Sequence, residues 1–233
     1  MHSVSEGIIK ELKKRGTPEG IAKSRRYFKE TVLTYGCSVP EVTSITNEFA
    51  PLLKKNLEET LLVAKDLIEG GVMDEHFSAT ILLSKISQRF NQEHFEIFDA
   101  WVEFLTNWAS IDGFCTNVMS EMVKRFPTLS DRLIMWTRSP NRWRRRASAV
   151  SLVTLARRGE MLETVFRIAD RLMGDRDEMV QKGVGWLIKE ASKKHPSEVR
   201  DYLLRWRDIA SALTLRYASE KLPKEMRVLK SMS

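Results

Sequence analysis

The chain has 233 residues, 42% of them hydrophobic, which suffices for one large domain or two small ones with a sizeable core. Its formal charge of +7 and pI near 9.4 suit a polyanionic partner. Cys37 and Cys115 stand in unrelated contexts, arguing against a disulfide framework and for a reducing cytosol, and no apolar run reaches the roughly 18 residues of a membrane span.

The opening residues MHSVSEGIIKELKKRG lack a signal-peptide core and read as a first helix, over about 5–15, closed by Gly16-Thr17-Pro18. A second helix is predicted over 18–33, carrying Lys23, Arg25 and Arg26 beside Tyr27. Gly36 and Pro40 interrupt the pattern, a third helix follows over 40–50, and a fourth over 57–69 stops at Gly70-Gly71. From Asp74 the pattern repeats. Segments ending at residues 88–90, 124–126, 157–159 and 193–195 each close an amphipathic helix with basic residues, which suit the negative end of the helix dipole. These closures lie 36, 33 and 36 residues apart. Partner helices fall at 95–106, 129–137, 161–173 and 197–207, and a last helix at 209–221. Strand-like alternation is absent.

Two helices per repeat at this period predict an all-α chain, an α-solenoid of HEAT-like repeats. The expected shape is a C with one helix of each repeat lining its concave face. The expected organisation is a single domain: N-terminal helices over 1–72, repeats over 73–222 and a flexible tail over 223–233. Such a concave monomer needs no partner copy.

The most unusual stretch is RSPNRWRRRASAVSLV, residues 138–153. Ser139-Pro140-Asn141 reads as a helix start. Helix N-termini favour acids, yet this one carries Arg142, Arg144, Arg145 and Arg146 with Trp143 among them. Free N–H groups, a dipole and arginines together make a phosphate site. The alternative is a solvated basic face. Arg146 shares a stripe with Ala149, Val150 and Val153, so its guanidinium needs an anionic partner, either a protein carboxylate or a ligand phosphate.

Aligning the repeats by their closures gathers Trp108, Asp112, Trp143, Arg145, Arg146, Gln181, Lys182 and Trp186 on one edge. Trp101, Trp136 and Trp206 lie on partner-helix stripes and read as core. Trp108 and Trp186 could be core as well, but Gly183 and Gly185 beside Trp186 suggest close approach of a backbone or a ligand. Asp112 has no salt-bridge partner at helical spacing within Asn107–Phe114, and its bland role would be a cap over Gly113 and Phe114. The histidines at 2, 76, 94 and 195 show no metal-ligand spacing, and there is no phosphate-binding glycine loop or nucleophile elbow. No metal, nucleotide cofactor or serine nucleophile is therefore expected.

Arginines hold a nucleic-acid backbone, and indole faces attract cations. A purine alkylated on a ring nitrogen is a cation, as is the sugar while its glycosidic bond breaks. A carboxylate beside that centre stabilises it and orients water. The residues thus suit an N-glycosylase for cationic, alkylated bases.

With these residues the chain resembles the AlkD family of DNA alkylation repair proteins. The resemblance covers most of the chain. It rests on Arg26-Tyr27 followed by Pro40-Glu41, on Trp108-x-x-x-Asp112, on Asn141-x-Trp143-x-x-Arg146-Ala147, and on Gln181-Lys182-x-x-Gly185-Trp186 ahead of Lys194-x-Pro196. It implies a HEAT-like-repeat glycosylase that removes cationic 3- and 7-alkylated purines from double-stranded DNA, without a cofactor and without flipping the base into a pocket. Asp112 would be the catalytic carboxylate. Trp108, Trp186 and Tyr27 would form an aromatic cleft, and Arg146 would hold a phosphate, with Arg142, Trp143, Arg145, Gln181 and Lys182 also at the DNA. A cytoplasmic, nucleoid-associated location would follow. The chain departs from the family at Asn107-Trp108-Ala109-Ser110, where a further Trp and Asp are typical, and at Val42-Thr43, where basic residues are common. Other readings are a non-catalytic HEAT-like module for DNA or branched nucleic acid, and a protein-interaction solenoid.

Overall fold

The computed structural model describes residues 1–53 and 56–230. Among them every regular element is helical and no strand occurs. The chain divides into two compact units, 1–118 and 119–233.

The N-terminal unit contains α1 (Ser3–Arg15), α2 (Pro18–Tyr27), α3 (Val39–Leu53), α4 (Leu57–Glu69), α5 (Met73–Ile86), α6 (His94–Trp101) and α7 (Trp108–Phe114). Its centre is α5, which packs on α3, α4 and α7. Ile8, Leu12, Ile45, Leu67, Ile68, Leu83, Phe98 and Phe114 fill the core between them. The C-terminal unit contains α8 (Ser120–Arg125), α9 (Ser130–Trp136), α10 (Arg142–Val150), α11 (Val153–Arg158), α12 (Leu162–Leu172), α13 (Glu178–Ser192), α14 (Pro196–Trp206) and α15 (Ala212–Ser219). Here α13 is central and touches α10, α11, α12, α14 and α15. The pattern of α12 shows why these segments pair: Val165, Ile168, Ala169 and Leu172, at i, i+3, i+4 and i+7, are all buried.

Helix starts follow local chemistry. The side chains of Thr17, Asn56, Asn107, Asn141, Asp177 and Ser211 each accept a backbone N–H of the turn that follows. The repeat predicted from the basic closures appears as contacts one period apart. In the C-terminal unit Arg167 pairs with Asp131, His195 Nε2 meets the Gly159 carbonyl and Trp206 Nε1 donates to Asp170, each pair 36 residues apart. In the N-terminal unit His76 meets Ser110 at an offset of 34 and Thr46 meets Ser78 at 32. Trp101 and Trp136 are core residues as expected, and Trp206 is half-buried.

Two stretches differ from the pattern-based reading. The second helix stops at Tyr27, not near residue 33. The following loop finds better partners than a helix would supply: Asp74 accepts Thr34 Oγ1 at 2.6 Å and the backbone N–H groups of Tyr35 and Cys37 at 3.0 Å each, and Leu33 O accepts Met73 N. The tail expected from residue 223 is tied down over 223–230. Val228 is buried, its N–H and C=O both bond Ser219 Oγ, and Lys230 Nζ donates to Ala210 O at 2.9 Å. The end of that tail, residues 231–233, lies outside the described residues. No helix among the described residues is long and apolar enough to cross a membrane.

Candidate functional site

In the N-terminal unit the chain leaves α2 at Tyr27-Phe28 and meets the first residue of α7, Trp108. The ring centroids lie 5.7 Å apart for Tyr27–Trp108, 5.3 Å for Phe28–Trp108 and 5.6 Å for Tyr27–Phe28. Phe28 is buried and anchors the cluster, whereas Tyr27 is 70% exposed and presents its ring to solvent. Together with Lys23, Ser24, Cys37, Pro40, Met73 and Phe77 they line a cavity of about 590 Å³. An exposed aromatic tilted at 56° against a half-buried indole offers π-faces that attract a cation or stack a base. Cys37, on the cavity wall, supplies no thiolate, because burial and the neighbouring Asp74 carboxylate push its thiol up to about 12.

Asp112 sits one helical turn beyond Trp108 on the same face of α7 and is half-buried. It does not cap this helix. Asn107 does so, with Oδ1 accepting Ser110 N at 2.9 Å, and the backbone carbonyl of Asp112 accepts Thr116 Oγ1 at 2.7 Å. Asp112 thus stands within the helix, one turn along from Trp108.

Three residues that pattern reading passes over hold this arrangement: Asp74, Glu75 and His76. Acids in a first turn are ordinary dipole partners, so MDEHF gives no signal of its own. Their burial does, since all three are at most 3% exposed. Asp74 fastens the loop that shapes the cavity, and Glu75 accepts the Tyr35 hydroxyl. Burial pushes the Glu75 carboxyl above its ordinary range. His76 bridges Ile68 O and Ser110 Oγ, and burial lowers its pKa to about 4, so its ring is neutral.

In the C-terminal unit the Arg-rich start of α10 faces the turn that begins α13. Asn141 caps α10 through Trp143 N at 2.9 Å, as its sequence suggested. The anion predicted for this helix start comes from the protein itself. Arg145 pairs with Asp175 and also donates to Ser139 O and Pro140 O, while Arg142 approaches Asp177 at 3.5 Å. Asp177 in turn caps α13 through Met179 N and Val180 N. Trp143 is 7% exposed with Arg142 over its ring, so it lies in the core and not on an open surface. Arg144 lies over Trp136.

Arg146 is 5% exposed, and its Nη1 donates to Met179 O at 2.5 Å. Its stem crosses α13 at Gly183, where a Cβ would stand 3.1 Å from Arg146 Cγ. Gly185 admits α15: a Cβ there would meet Tyr217 Cβ at 2.6 Å and Thr214 O at 3.2 Å. Both glycines thus serve close approach within the protein. Gln181 bridges Asp175 O and Ser211 Oγ, and Lys182 pairs with Glu178 at 2.7 Å. Trp186 is half-buried on α13. The structure therefore brings Tyr27 and Phe28 onto Trp108 in one unit, with Asp112 one turn further along α7, and in the other joins the α10 arginines with the start of α13.

The family model for DNA alkylation repair enzymes matches residues 8–222. A solved structure described as a predicted DNA alkylation repair enzyme from Enterococcus faecalis superposes with a TM-score of 0.78 at 21% identity, over 90% of this chain and 98% of that one. The smu.31 protein of Streptococcus mutans UA159 superposes with a TM-score of 0.61 at 19% identity, over 95% of this chain and all of its own. At such identities the two structures show a shared fold. No curated protein matches the chain. The match over 8–222 spans both units, and the chain belongs to the DNA alkylation repair enzyme family.

Proposed function

We propose that the protein is a monofunctional DNA glycosylase that hydrolyses the N-glycosidic bond of purines made cationic by alkylation at N3 or N7. The observation that carries this reading is the placement of Asp112 one turn from Trp108, whose indole is covered by the exposed Tyr27 ring. A pure phosphate binder gains nothing from a carboxylate beside its aromatic groups. For a glycosylase the set is apt: π-faces favour the cationic base by about 0.5–2 kcal/mol. The carboxylate then stabilises the positive charge that moves onto the sugar as the bond lengthens.

In this reaction the C1′–N bond breaks and its electron pair leaves with the purine, which becomes neutral. Water, oriented by Asp112, adds to C1′ and gives up a proton, leaving an abasic site in an intact strand. The C-terminal unit contributes the grip on the backbone in this reading, through Arg142 and Lys182 at the exposed edge of the α10–α13 junction that the buried Arg146 helps to hold, with Trp186 as a further aromatic face. Gln181 and Arg145 support it by fixing the α10–α13 junction.

The experiment is release of 7-methylguanine and 3-methyladenine from methylated duplex DNA, wild type beside Asp112→Asn. Release by the wild type alone is expected, with DNA affinity of the variant unchanged. Release by neither, with salt-sensitive DNA binding in both, would replace this reading with a non-catalytic DNA-binding module. Strand nicking without alkali would also count against it.

A further inference from the structure

We propose that His76 is a positioning residue for base release, holding α7 through Ser110 and Asn107 so that Trp108 and Asp112 keep their place beside Tyr27. The proposal rests on the reading of Asp112 as the carboxylate that meets the sugar cation.

The hydrogen-bond directions are fixed by elimination. Ile68 O, at the end of α4, can only accept, so His76 Nε2 carries the proton and donates to it at 3.1 Å. His76 Nδ1 is then an acceptor and takes the Ser110 hydroxyl proton at 2.9 Å. Ser110 Oγ in turn accepts Asn107 Nδ2 at 3.0 Å, and Asn107 Oδ1 accepts Ser110 N. All three side chains are at most 2% exposed. Each polar atom of the chain of bonds thus has a partner, which is the condition for a buried polar network to fix one arrangement.

The placement of Ser110 gives the network its reach. On an α-helix Ser110 lies about 200° around from Trp108, whereas Asp112 lies only about 40° from it. The brace therefore grips the back of α7, and the front presents the indole and the carboxylate. The helical run that begins at Trp108 widens into a π-helical segment at Cys115–Met119, and the brace acts on its first turn, where the backbone N–H groups have no partner within the helix. An apolar side chain at position 76 would fill the volume but would let α7 rotate or slide. The histidine couples α7 to the end of α4 by directional bonds.

The test uses the full chain with His76→Leu, His76→Gln and Ser110→Ala. It reads single-turnover base release, DNA affinity, and amide hydrogen exchange over 108–114. A displacement of about 1 Å in a reacting group slows chemistry by about 10- to 100-fold, so His76→Leu should lose that much in rate with affinity unchanged. Exchange over 108–114 should quicken in the same variant. His76→Gln keeps an N–H for Ile68 O and a carbonyl for the Ser110 hydroxyl, and should recover much of the rate. Ser110→Ala removes one oxygen and repeats the test if the leucine variant does not fold. Unchanged exchange over 108–114, or a glutamine variant as slow as the leucine one, overturns the proposal. If the wild type releases no base, the glycosylase reading falls, and exchange over 108–114 still decides whether the brace exists.

Discussion

Arg145 grips Asp175 with two hydrogen bonds, Nε to Oδ2 at 2.7 Å and Nη2 to Oδ1 at 3.3 Å. Asp175 Oδ1 also accepts Asp177 N, whose own carboxylate caps α13. The arginine that a sequence reading gives to a phosphate is thus engaged in joining α10 to the start of α13.

Arg145→Ala should destabilise the protein by about 1–3 kcal/mol, because a part-buried carboxylate loses a charge-assisted pair. A melting temperature lower by about 2–4 °C per kcal/mol is expected for a chain of this length. The slope of log affinity against log salt for DNA should stay the same. A slope smaller by about 0.9, one phosphate contact, would show that Arg145 also holds the backbone.

The two glycines of α13 should differ in what their substitution costs. Gly185→Ala drives a methyl group into Tyr217 Cβ and the backbone of α15, and overpacking of that kind costs about 1–3 kcal/mol. A lower urea midpoint with an unchanged m-value would report it. Gly183→Ala meets side chains alone, Arg146 Cγ at 3.1 Å and Val150 Cγ1 at 3.7 Å, and the closer of them is able to shift. Its midpoint should move less than that of Gly185→Ala.

Tyr27→Ala should change stability by no more than about 0.5 kcal/mol, since the ring is 70% exposed. Base release should nevertheless slow by about tenfold, the loss of one cation–π contact of about 1 kcal/mol or slightly more. Quenching of tryptophan fluorescence by acrylamide should increase as Trp108 loses its cover. A variant as active as the wild type would remove Tyr27 from the site.

His76 gives stability a pH dependence of definite sign. Burial lowers its pKa to about 4, against 6.5 in an ordinary environment. Between these values the unfolded chain takes up a proton that the folded chain refuses, so stability is complete above about pH 6.5 and falls toward pH 4. The contribution lost is on the order of 3 kcal/mol. Glu75 acts in the opposite sense, because its raised pKa makes the folded state hold a proton more tightly as pH falls. Urea midpoints of wild type and His76→Gln across this range isolate the histidine: the wild type's advantage should shrink as pH is lowered. A constant difference would mean that His76 is not the group responsible.

The amphipathic period and the caps were legible in the sequence, because both are set within a few residues. Asn141 at the start of α10 and the 3.6-residue stripe of α12 require no knowledge of the rest of the chain. The spacing of the basic closures likewise announced the repeat, and Trp108-x-x-x-Asp112 announced a shared helical face. What escaped the sequence was every decision about partners. Three donors from residues 34–37 converge on Asp74 and end α2 six residues earlier than its pattern suggests. Asp175 and Asp177 neutralise arginines about thirty residues away, and DEH at 74–76 is a buried scaffold although it reads as a solvated first turn. The sequence by itself determined the helices, their repeat and the residue types able to meet a cationic base. Only the tertiary structure decided which charges are engaged within the protein and which side chains stay exposed, because the energy of a buried polar group depends on partners that lie far along the chain.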